Sequence, residues 1–402
     1  MGRHLVLGLG GTVDHELWWE PTIVQGLVDS WGVSSADLEH GGPLTTRRDA
    51  LVALVRFIAH GSGGERYVAD REELLAFSAG FRHTVTLGGT PVRAAICLAR
   101  TGFSSTVHLT STSEEVRRLL PREVSAVSSA QRDSVDPHVI VQYPEGAGVR
   151  LVDGAEVRSR RPNRVILVND EPNELMRLSP DLRAELAQAS AFLISGFNTM
   201  KSASLLEDRL NELREMMGAL PAGTPVVYED AGFHDPRLRA VILEAMPCLA
   251  AVHSMNEDEA QEYLGRDVDL EDAESVAAMM RDLCGLIGSA TVVVHTARFA
   301  AVAGADAAHL RAAAEQGCAM AGTRFAVGDS MTAADLARVT AGPRDPIGCA
   351  LAAAPAVQRS GVFIAPSFNV RTAAPTTIGL GDSFVGGVMR ALAESGRPAP
   401  QR

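Results

Sequence analysis

Positively charged residues are scarce in this sequence, and lysine is nearly absent. Lys201 is the only lysine among 402 residues, and 37 Lys+Arg side chains stand against 49 Asp+Glu, for a net charge of −12. This balance argues against a protein that grips a nucleic-acid backbone or an anionic membrane, since both demand cations. A small anionic ligand is still possible because it needs only one local pocket. Arginines or backbone N–H groups would have to form that pocket.

Cysteine pairs and long apolar segments are also missing. The five cysteines are scattered and never spaced as CxxC, which argues against a disulfide framework or a thiolate zinc site and favours a reducing cytoplasm. Asp14, His15 and Glu16 follow the first apolar run at once, unlike a secretory signal. No segment offers the roughly 18 uninterrupted apolar residues of a membrane span. We expect a soluble, cytoplasmic protein without membrane or nucleic-acid partners, of unknown oligomeric state.

What is present is typical of a globular chain with a parallel sheet. Hydrophobic residues make up 46% of the sequence, and its length suggests two or three domains at about 150 residues each. Apolar, β-branched runs predict strands that are covered on both faces. They occupy residues 4–10, 106–111, 138–143, 164–169, 191–197, 225–230, 249–255, 290–296 and 361–367. Amphipathic helices at 202–217, 272–286 and 383–395 alternate with them, so we expect an α/β fold with helices on both faces.

The first third of the chain is less regular. Residues 15–80 mix Trp18, Trp19 and Trp31 with glycine-rich and charged stretches, and residues 108–165 contain strands with few helices between them. A smaller strand-rich unit inserted into the α/β body fits this pattern.

The most informative loop is TIGLGDSFVGG, at residues 377–387. Gly379 and Gly381 allow a tight turn, and the helix that follows presents free backbone N–H groups. Such an anion hole suits the negative charge that develops during phosphoryl transfer. Asp382, at the mouth of that helix, can take a proton from an attacking hydroxyl. Helix capping by Asp382 is an equally good explanation of the local pattern.

Acidic residues follow two other predicted strands. Asn256 and Glu259 in MNEDE can both face a hydrated magnesium ion, although an acidic first helical turn is the more common explanation. Glu229 and Asp230 end a buried strand, where they can order metal or water or simply cap the loop. The paired glycines of LGGTP precede a further helix, where ligand contact and a plain strand-to-helix turn are equally good explanations.

Taken in order, these segments resemble the ADP-dependent glucokinase and phosphofructokinase family of the ribokinase-like superfamily. The resemblance runs from about residue 5 to 395. It is specific because all of the matching segments occur in the family's order, although no single motif is decisive. The matching segments are GLGGTVD (8–14), GGERY (63–67), LGGTP (87–91), DPHVIVQYPEG (136–146), RVILVND (164–170), LISGFN (193–198), MNEDE (255–259), VVVHT (292–296) and TIGLGDSF (377–384).

The resemblance implies a ribokinase-like fold with two domains. One is a large Rossmann-type α/β sheet with helices on both faces, and the other is a smaller strand-rich lid. The large domain would comprise residues 1–14, 81–107 and 166–402, and the lid residues 15–80 and 108–165.

The resemblance also implies the site residues. Asp382 would be the catalytic base, beside the glycine turn of Gly379 and Gly381. The other implied contacts are Asp14, Glu65, Gly89, Thr90 and His138 for the sugar; Asn256, His295, Thr377 and Gly379 for the nucleotide; and Glu229 and Glu259 for Mg²⁺.

Three positions depart from the family pattern. Val227 replaces the histidine of a His-x-Glu element, Thr90 replaces an Asn or Gln, and the usual Asn before Asp14 is missing. These changes affect sugar contacts or the metal-ordering shell but leave phosphoryl transfer possible.

The implied function is an ADP-dependent, magnesium-using sugar kinase that transfers the β-phosphoryl group of ADP to a primary hydroxyl and releases AMP. Glu65 favours the glucokinase side because an acid there would repel a phosphorylated acceptor. Two alternatives stay open: a kinase of the same fold with another acceptor (a sugar phosphate such as fructose 6-phosphate, a nucleoside or a specialised-metabolite sugar), and a non-catalytic regulator that binds sugar or nucleotide.

Overall fold

A computed structural model describes residues 4–39, 41–233, 235–372, 375–376 and 378–395. Its strands are β1 (Leu5–Leu7), β2 (Thr12–Leu17), β3 (Gly64–Tyr67), β4 (His83–Gly88), β5 (Ser105–Leu109), β6 (Val124–Ser128), β7 (Pro137–Tyr143), β8 (Gly148–Arg150), β9 (Glu156–Arg158), β10 (Asn163–Val168), β11 (Ala191–Ile194), β12 (Val226–Glu229), β13 (Val252–Asn256), β14 (Thr291–His295), β15 (Phe299–Gly304) and β16 (Phe363–Pro366).

The α-helices are α1 (Pro21–Ser30), α2 (Ser35–Glu39), α3 (Arg47–His60), α4 (Arg71–Ala79), α5 (Thr90–Arg100), α6 (Glu114–Leu119), α7 (Glu171–Leu175), α8 (Leu182–Leu186), α9 (Ala203–Met217), α10 (Arg239–Leu249), α11 (Glu257–Leu264), α12 (Ala273–Ile287), α13 (Ala307–Val327), α14 (Ala333–Thr340), α15 (Pro346–Ala353), α16 (Pro355–Ser360) and α17 (Leu380–Ser395). In the described residues, none of them combines the length and apolarity needed to cross a membrane.

Nine strands form the large sheet, in the order β16-β15-β14-β13-β12-β11-β1-β5-β6. The strands from β14 to β6 are parallel, whereas β15 pairs antiparallel with both β14 and β16. Side chains alternate between two buried faces, which explains the continuous apolar runs. Leu5 and Leu7 pack in a core with α5, α13 and α17, and Val6 packs in another with α9 and α10. The predicted α/β class with helices on both faces is confirmed.

The smaller sheet has five strands in the order β3-β10-β7-β2-β4. One of its faces packs with α1, α3 and α4 around a separate core that includes Leu54, Val139 and Leu167. The antiparallel hairpin of β8 and β9 contributes Val149 and Val157 to that core. A strand-rich unit beside the α/β body is therefore present.

Sheet membership differs from the predicted segments at three points. The opening strand of the large sheet ends at Leu7, and Asp14 lies in β2 of the smaller sheet. Residues 83–88 form β4 of the smaller sheet although they were predicted in the large domain, and β6 belongs to the large sheet although it was predicted in the lid. The assignment of β4 was missed because it depends on strand pairing. Polar residues alternate along β4 because one of its faces is open, and only the six-residue ladder with β2 reveals it as a strand.

Candidate active site

The glycine turn and Asp382 form the centre of the candidate site. Gly379 has a backbone φ of 72°, and a Cβ there would lie 2.9 Å from Arg93 Cδ and 3.0 Å from Arg324 Nε, so the turn requires glycine. Helix α17 begins one residue later, with Asp382 in its first turn. Thr90 donates a hydrogen bond from Oγ1 to Asp382 Oδ1 at 2.9 Å. The Asp382 carboxylate is therefore oriented by α5, the helix that Thr90 begins after the N-cap glycine, Gly89.

Arg93 of α5 joins Asp382 to the smaller sheet. Its Nη2 lies 2.6 Å from Asp14 Oδ2 and 3.6 Å from Glu16 Oε1, and its Nε lies 3.9 Å from Asp382 Oδ2. Burial alone would lower the pKa of Arg93, but the carboxylates of Asp14 and Asp382 raise it, so this side chain is a fixed cation. Asp14 is buried too and accepts a second hydrogen bond, from Thr12 at 2.6 Å. A ligand that bound to Asp14 would have to compete with Arg93 and Thr12 for its carboxylate oxygens.

The face of the smaller sheet that carries Asp14 is turned toward α5 and Asp382. Asp14 lies opposite His138 across the β2–β7 pair, and Glu16 is connected through two intervening isoleucines to Glu65 on β3. Paired residues of neighbouring strands share a face. The structure thus brings the predicted sugar-binding residues Asp14, Glu65 and His138 onto one surface.

His138 is held by a chain of buried polar groups. Its Nε2 lies 2.9 Å from Asp170 Oδ2, and Asp170 also accepts a hydrogen bond from Asn173 at 2.6 Å. Asn173 in turn donates to the Gly11 carbonyl and accepts from Thr110. Burial would lower the pKa of His138, but Asp170 raises it to about 9, so the ring is positively charged at neutral pH.

Glu229 and His295 meet behind the glycine turn. They end β12 and β14, and Nε2 of His295 lies 2.8 Å from Glu229 Oε1. Burial lowers the pKa of His295, but Glu229 outweighs it and raises the pKa. The ring packs against Phe384 with centroids 4.7 Å apart, and a Cβ on Gly381 would lie 3.1 Å from it. Val227 is buried in the core, and the histidine that pairs with Glu229 lies on β14.

Asn256 and Glu259 cap the N-terminus of α11. Asn256 Oδ1 accepts hydrogen bonds from the Asp258 and Glu259 backbone N–H groups, and Glu259 Oε2 accepts one from Asn256 N at 2.8 Å. This reciprocal capping box gives both residues a structural role. Burial, with Asp230 and Glu229 nearby, raises the pKa of Glu259 to about 8, and a cation beside it would restore the charged form.

A second buried arginine, Arg324 of α13, holds the glycine turn from the other side. Its Nε donates a hydrogen bond to the Ile378 carbonyl at 2.7 Å, and its Nη1 lies 2.5 Å from Asp329 Oδ1. Because a trans peptide directs its C=O and N–H to opposite sides, this bond turns the Gly379 N–H away from Arg324. The turn is thus fixed on one side, and the Gly379 N–H is directed to the other.

A cavity of about 270 Å³ opens beside the C-terminal end of α13. Its apolar walls come from Val327, Val339, Phe368 and Val370. The same end of α13 contacts the residues before the glycine turn, since Thr376 N donates to the Phe325 carbonyl at 3.2 Å and Arg324 Nε donates to the Ile378 carbonyl. Thr377, predicted to contact the nucleotide, lies outside the described residues.

Sequence reasoning missed several buried polar residues of this site. They are Arg93, Asp170, Asn173 and Arg324. Arg93 carried a usable signal, since it is the one charged residue before Arg100 in a helix of small and apolar side chains. Arg324 gave none, because its contact with the glycine turn spans 54 positions of the chain.

Comparison with known proteins supports the resemblance noted from the sequence. The model of the ADP-specific phosphofructokinase/glucokinase conserved region matches residues 3–388. No match was found among curated proteins. A phosphofructokinase from Pyrococcus horikoshii OT3, solved with AMP, is similar in structure with a TM-score of 0.77 and 15% identity over 98% of both chains.

Two further solved structures are similar. The last common ancestor of ADP-dependent phosphofructokinases from Methanosarcinales has a TM-score of 0.72 and 15% identity over 100% of this chain and 95% of that one. An ADP-dependent kinase in complex with fructose 6-phosphate and ADPβS has a TM-score of 0.74 and 14% identity over 97% and 94%. At these identities the likeness shows the fold, whereas the family match spans nearly the whole chain. The chain therefore belongs to the ADP-specific phosphofructokinase/glucokinase family, whose members are ADP-dependent kinases acting on a sugar hydroxyl.

Proposed function

We propose that this chain transfers the β-phosphoryl group of ADP to a primary hydroxyl of a neutral sugar, in the manner of a glucokinase, and releases AMP. The observation that carries the proposal is the charge of the surface facing the candidate base. The carboxylates of Asp14, Glu16 and Glu65 lie on this surface, with Arg93 and His138 as its cations.

Both cations are already paired with carboxylates of the protein. Arg93 pairs with a buried aspartate, and His138 pairs with Asp170. Glu16 and Glu65 add further negative charge to the surface. A phosphorylated acceptor would bring close to two more negative charges and be repelled, whereas sugar hydroxyls can donate hydrogen bonds to carboxylates.

Asp382 is the proposed base. It accepts the proton of the acceptor hydroxyl while that oxygen bonds to the β-phosphorus of ADP, and the bond from this phosphorus to the bridging oxygen breaks to release AMP. Thr90 donates a hydrogen bond to Asp382 Oδ1 and so fixes the orientation of the carboxylate. In this orientation the other oxygen, Oδ2, receives the proton.

The backbone N–H groups of Gly379 and Gly381 are the proposed anion hole. Arg324 fixes the peptide before Gly379, and the His295 ring lies directly behind Gly381. A rigid set of donors stabilises developing negative charge without having to reorganise.

Glu229 and Glu259 fit a magnesium ion held mainly by water and phosphate oxygens. Asn256 Oδ1 already accepts two backbone hydrogen bonds, so this side chain can only donate from its amide nitrogen, for example to a phosphate oxygen of the nucleotide. Oε2 of Glu229 is buried and has no hydrogen-bond partner in the described residues, as expected of an atom that binds a hydrated cation. The described residues contain no group of three or more His, Cys, Asp or Glu able to hold a metal by themselves. Mg²⁺ needs only one or two carboxylates; when bound, it would neutralise charge on the phosphates.

The cavity beside α13 is the proposed place of the adenine base. Its walls of valine and phenylalanine suit a flat apolar ring system. Because the same end of α13 also contacts the glycine turn through Arg324, the phosphates of a nucleotide held there would extend toward that turn.

A second candidate is transfer to a sugar phosphate. The similar solved structures favour it, since those compared are phosphofructokinases or contain fructose 6-phosphate. The two candidates differ only in the charge of the acceptor.

AMP release from ADP with a panel of acceptors distinguishes the two. We expect a higher kcat/KM with glucose or another neutral sugar than with fructose 6-phosphate. E65Q should shift this ratio toward the sugar phosphate, and E123Q, an exposed carboxylate in the loop before β6, should leave it unchanged. A wild-type preference for fructose 6-phosphate would refute the neutral-sugar proposal and support the second candidate.

Asp382→Asn tests the role of the base. We expect kcat to fall about 10² to 10⁴-fold while the Kd for ADP stays unchanged, because the nucleotide contacts are retained. T90V, which removes only the orienting hydroxyl, should give a smaller loss. Unchanged turnover in D382N would remove Asp382 from the mechanism.

A further inference from the structure

A second cavity lies beside the smaller sheet, on the opposite side of that sheet from Glu65. Its volume is about 260 Å³, and its lining includes three arginines, Arg48, Arg56 and Arg66. Arg48 and Arg56 lie two turns apart on α3, and Arg66 lies on the edge strand β3. Because successive strand residues point to opposite faces, Arg66 and its neighbour Glu65 are on different sides of the sheet.

The three guanidinium groups are held in place by the protein. Arg48 donates to the Trp31 carbonyl at 2.9 Å and pairs with Asp37. Arg66 donates to the Gly42 carbonyl at 2.6 Å. A Cβ on Gly41 would lie 2.2 Å from Arg56 Nη1, so this side chain packs directly on the loop backbone.

The arginines that line this cavity outnumber its acidic lining residues, which are Asp37 and Asp49. Among the ion pairs of the described residues, Arg48 takes part in one, whereas Arg56 and Arg66 belong to none. Asp49, the other acidic lining residue, accepts hydrogen bonds from the backbone of Thr45 and Thr46 and forms the capping box of α3. Its charge is therefore directed to the helix N-terminus.

We propose that this cavity is a second anion site, which binds the phosphate group of a small metabolite or inorganic phosphate. Arg56 and Arg66, which have no carboxylate partner among the described residues, present the donor forks that match phosphate oxygens. The cavity volume of about 260 Å³ is slightly below the roughly 300 Å³ at which pockets for drug-sized ligands begin. This favours a small ligand in which a phosphate group is the main part. The site goes beyond the proposed kinase function and does not depend on it.

Hydrogen–deuterium exchange of the whole chain locates such binding. Orthophosphate, AMP and fructose 6-phosphate serve as separate probes, each against potassium chloride at equal ionic strength. We expect protection of residues 41–49 and 64–68 by at least one probe, and the strongest probe identifies the source of the phosphate. Anion binding at the glycine turn would protect other peptides, around 378–385, and so is separable.

R56Q/R66Q should weaken this protection at least about tenfold in ligand concentration, since each lost charge-assisted bond costs about that factor. R160Q, which replaces an exposed arginine just before β10 of the same sheet, is the matched control and should behave as wild type. R56K keeps the charge but loses the planar fork of donors, so it should show a partial loss of protection. This variant supplies the test if the double variant is poorly folded. Protection equal to that with chloride, or retained in a folded R56Q/R66Q, would overturn the proposal.

Discussion

Arg93 shows how one buried side chain can connect the smaller sheet to the helices of the larger one. It is only 4% exposed and contacts carboxylates from β2 and α17. A charge pair this deep adds little net stability as a pair, but removing one member leaves the other buried and uncompensated. The main contribution of Arg93 is therefore to positioning, because it holds the smaller sheet at a fixed place relative to Asp382.

Arg93→Met should lower the free energy of unfolding by about 3 to 5 kcal/mol, because Asp14 loses its partner. Urea denaturation followed by circular dichroism measures this change. D14N/R93M, which also removes the orphaned charge, should lose much less than the single variant. Equal losses in the two variants would mean that Arg93 stabilises the fold by packing alone.

The charge of His138 makes stability depend on pH. Its pKa in the folded state is raised from 6.5 to about 9, so its stabilisation is fully present below about pH 6.5 and is lost as the pH rises through about 9. The raised pKa of Glu259, about 8, changes stability in the same direction, so a comparison of variants is needed.

We therefore expect the difference in unfolding free energy between wild type and H138Q to shrink from pH 6.5 to pH 9. Urea titrations at both ends of this window measure it. D170N should flatten the wild-type dependence because Asp170 is the group that raises the pKa. A difference independent of pH would show that His138 is not charged in the fold.

At the scale of elements, α17 is placed by close contact with α13. A Cβ on Gly387 would lie 2.5 Å from the Gln316 carbonyl oxygen and 2.9 Å from Gly317 Cα. The helices cross where both lack side chains, and α17 carries Asp382 in its first turn. The position of the candidate base therefore depends on this crossing.

Gly387→Ala should lower the unfolding free energy by about 1 to 3 kcal/mol through overpacking, and reduce kcat as α17 shifts. Gly285→Ala in α12 is the matched control, since a Cβ there meets nothing within 4 Å. That variant should gain about 0.5 to 1 kcal/mol from helix propensity. Thermal unfolding of both variants tests the pair, and a stabilised G387A would contradict the tight crossing.

The elements that the sequence predicted are those whose pattern is local. Each of the nine apolar runs overlaps a strand, and α9 buries Leu206, Leu210, Leu213 and Met217 as its spacing indicated. β3 and β4 were missed because their residues alternate or are charged, so only strand pairing reveals them. The same holds for the site: the GLGD turn could be read from the sequence, whereas its support by Arg93 and Arg324 comes from distant segments.

At the scale of the whole molecule, the chain passes repeatedly between its two sheets. It crosses between β1 and β2, between β4 and β5, between β6 and β7, and between β10 and β11. Each crossing ties the stability of one sheet to the other, and the pair of Arg93 with Asp14 adds a buried link. Two independent folding units would need fewer connections.

The tryptophans allow this coupling to be measured. Of the three tryptophans, Trp18 directly follows β2 of the smaller sheet, and Trp19 and Trp31 pack against the core of that sheet. Fluorescence therefore reports on the smaller sheet, while far-UV circular dichroism is dominated by the larger sheet and its helices. We expect the two signals to give the same urea midpoint, as in a cooperative transition. In R93M the fluorescence midpoint should fall below that of circular dichroism because the buried link is lost. Separate midpoints already in the wild type would show that the sheets unfold independently despite the four crossings.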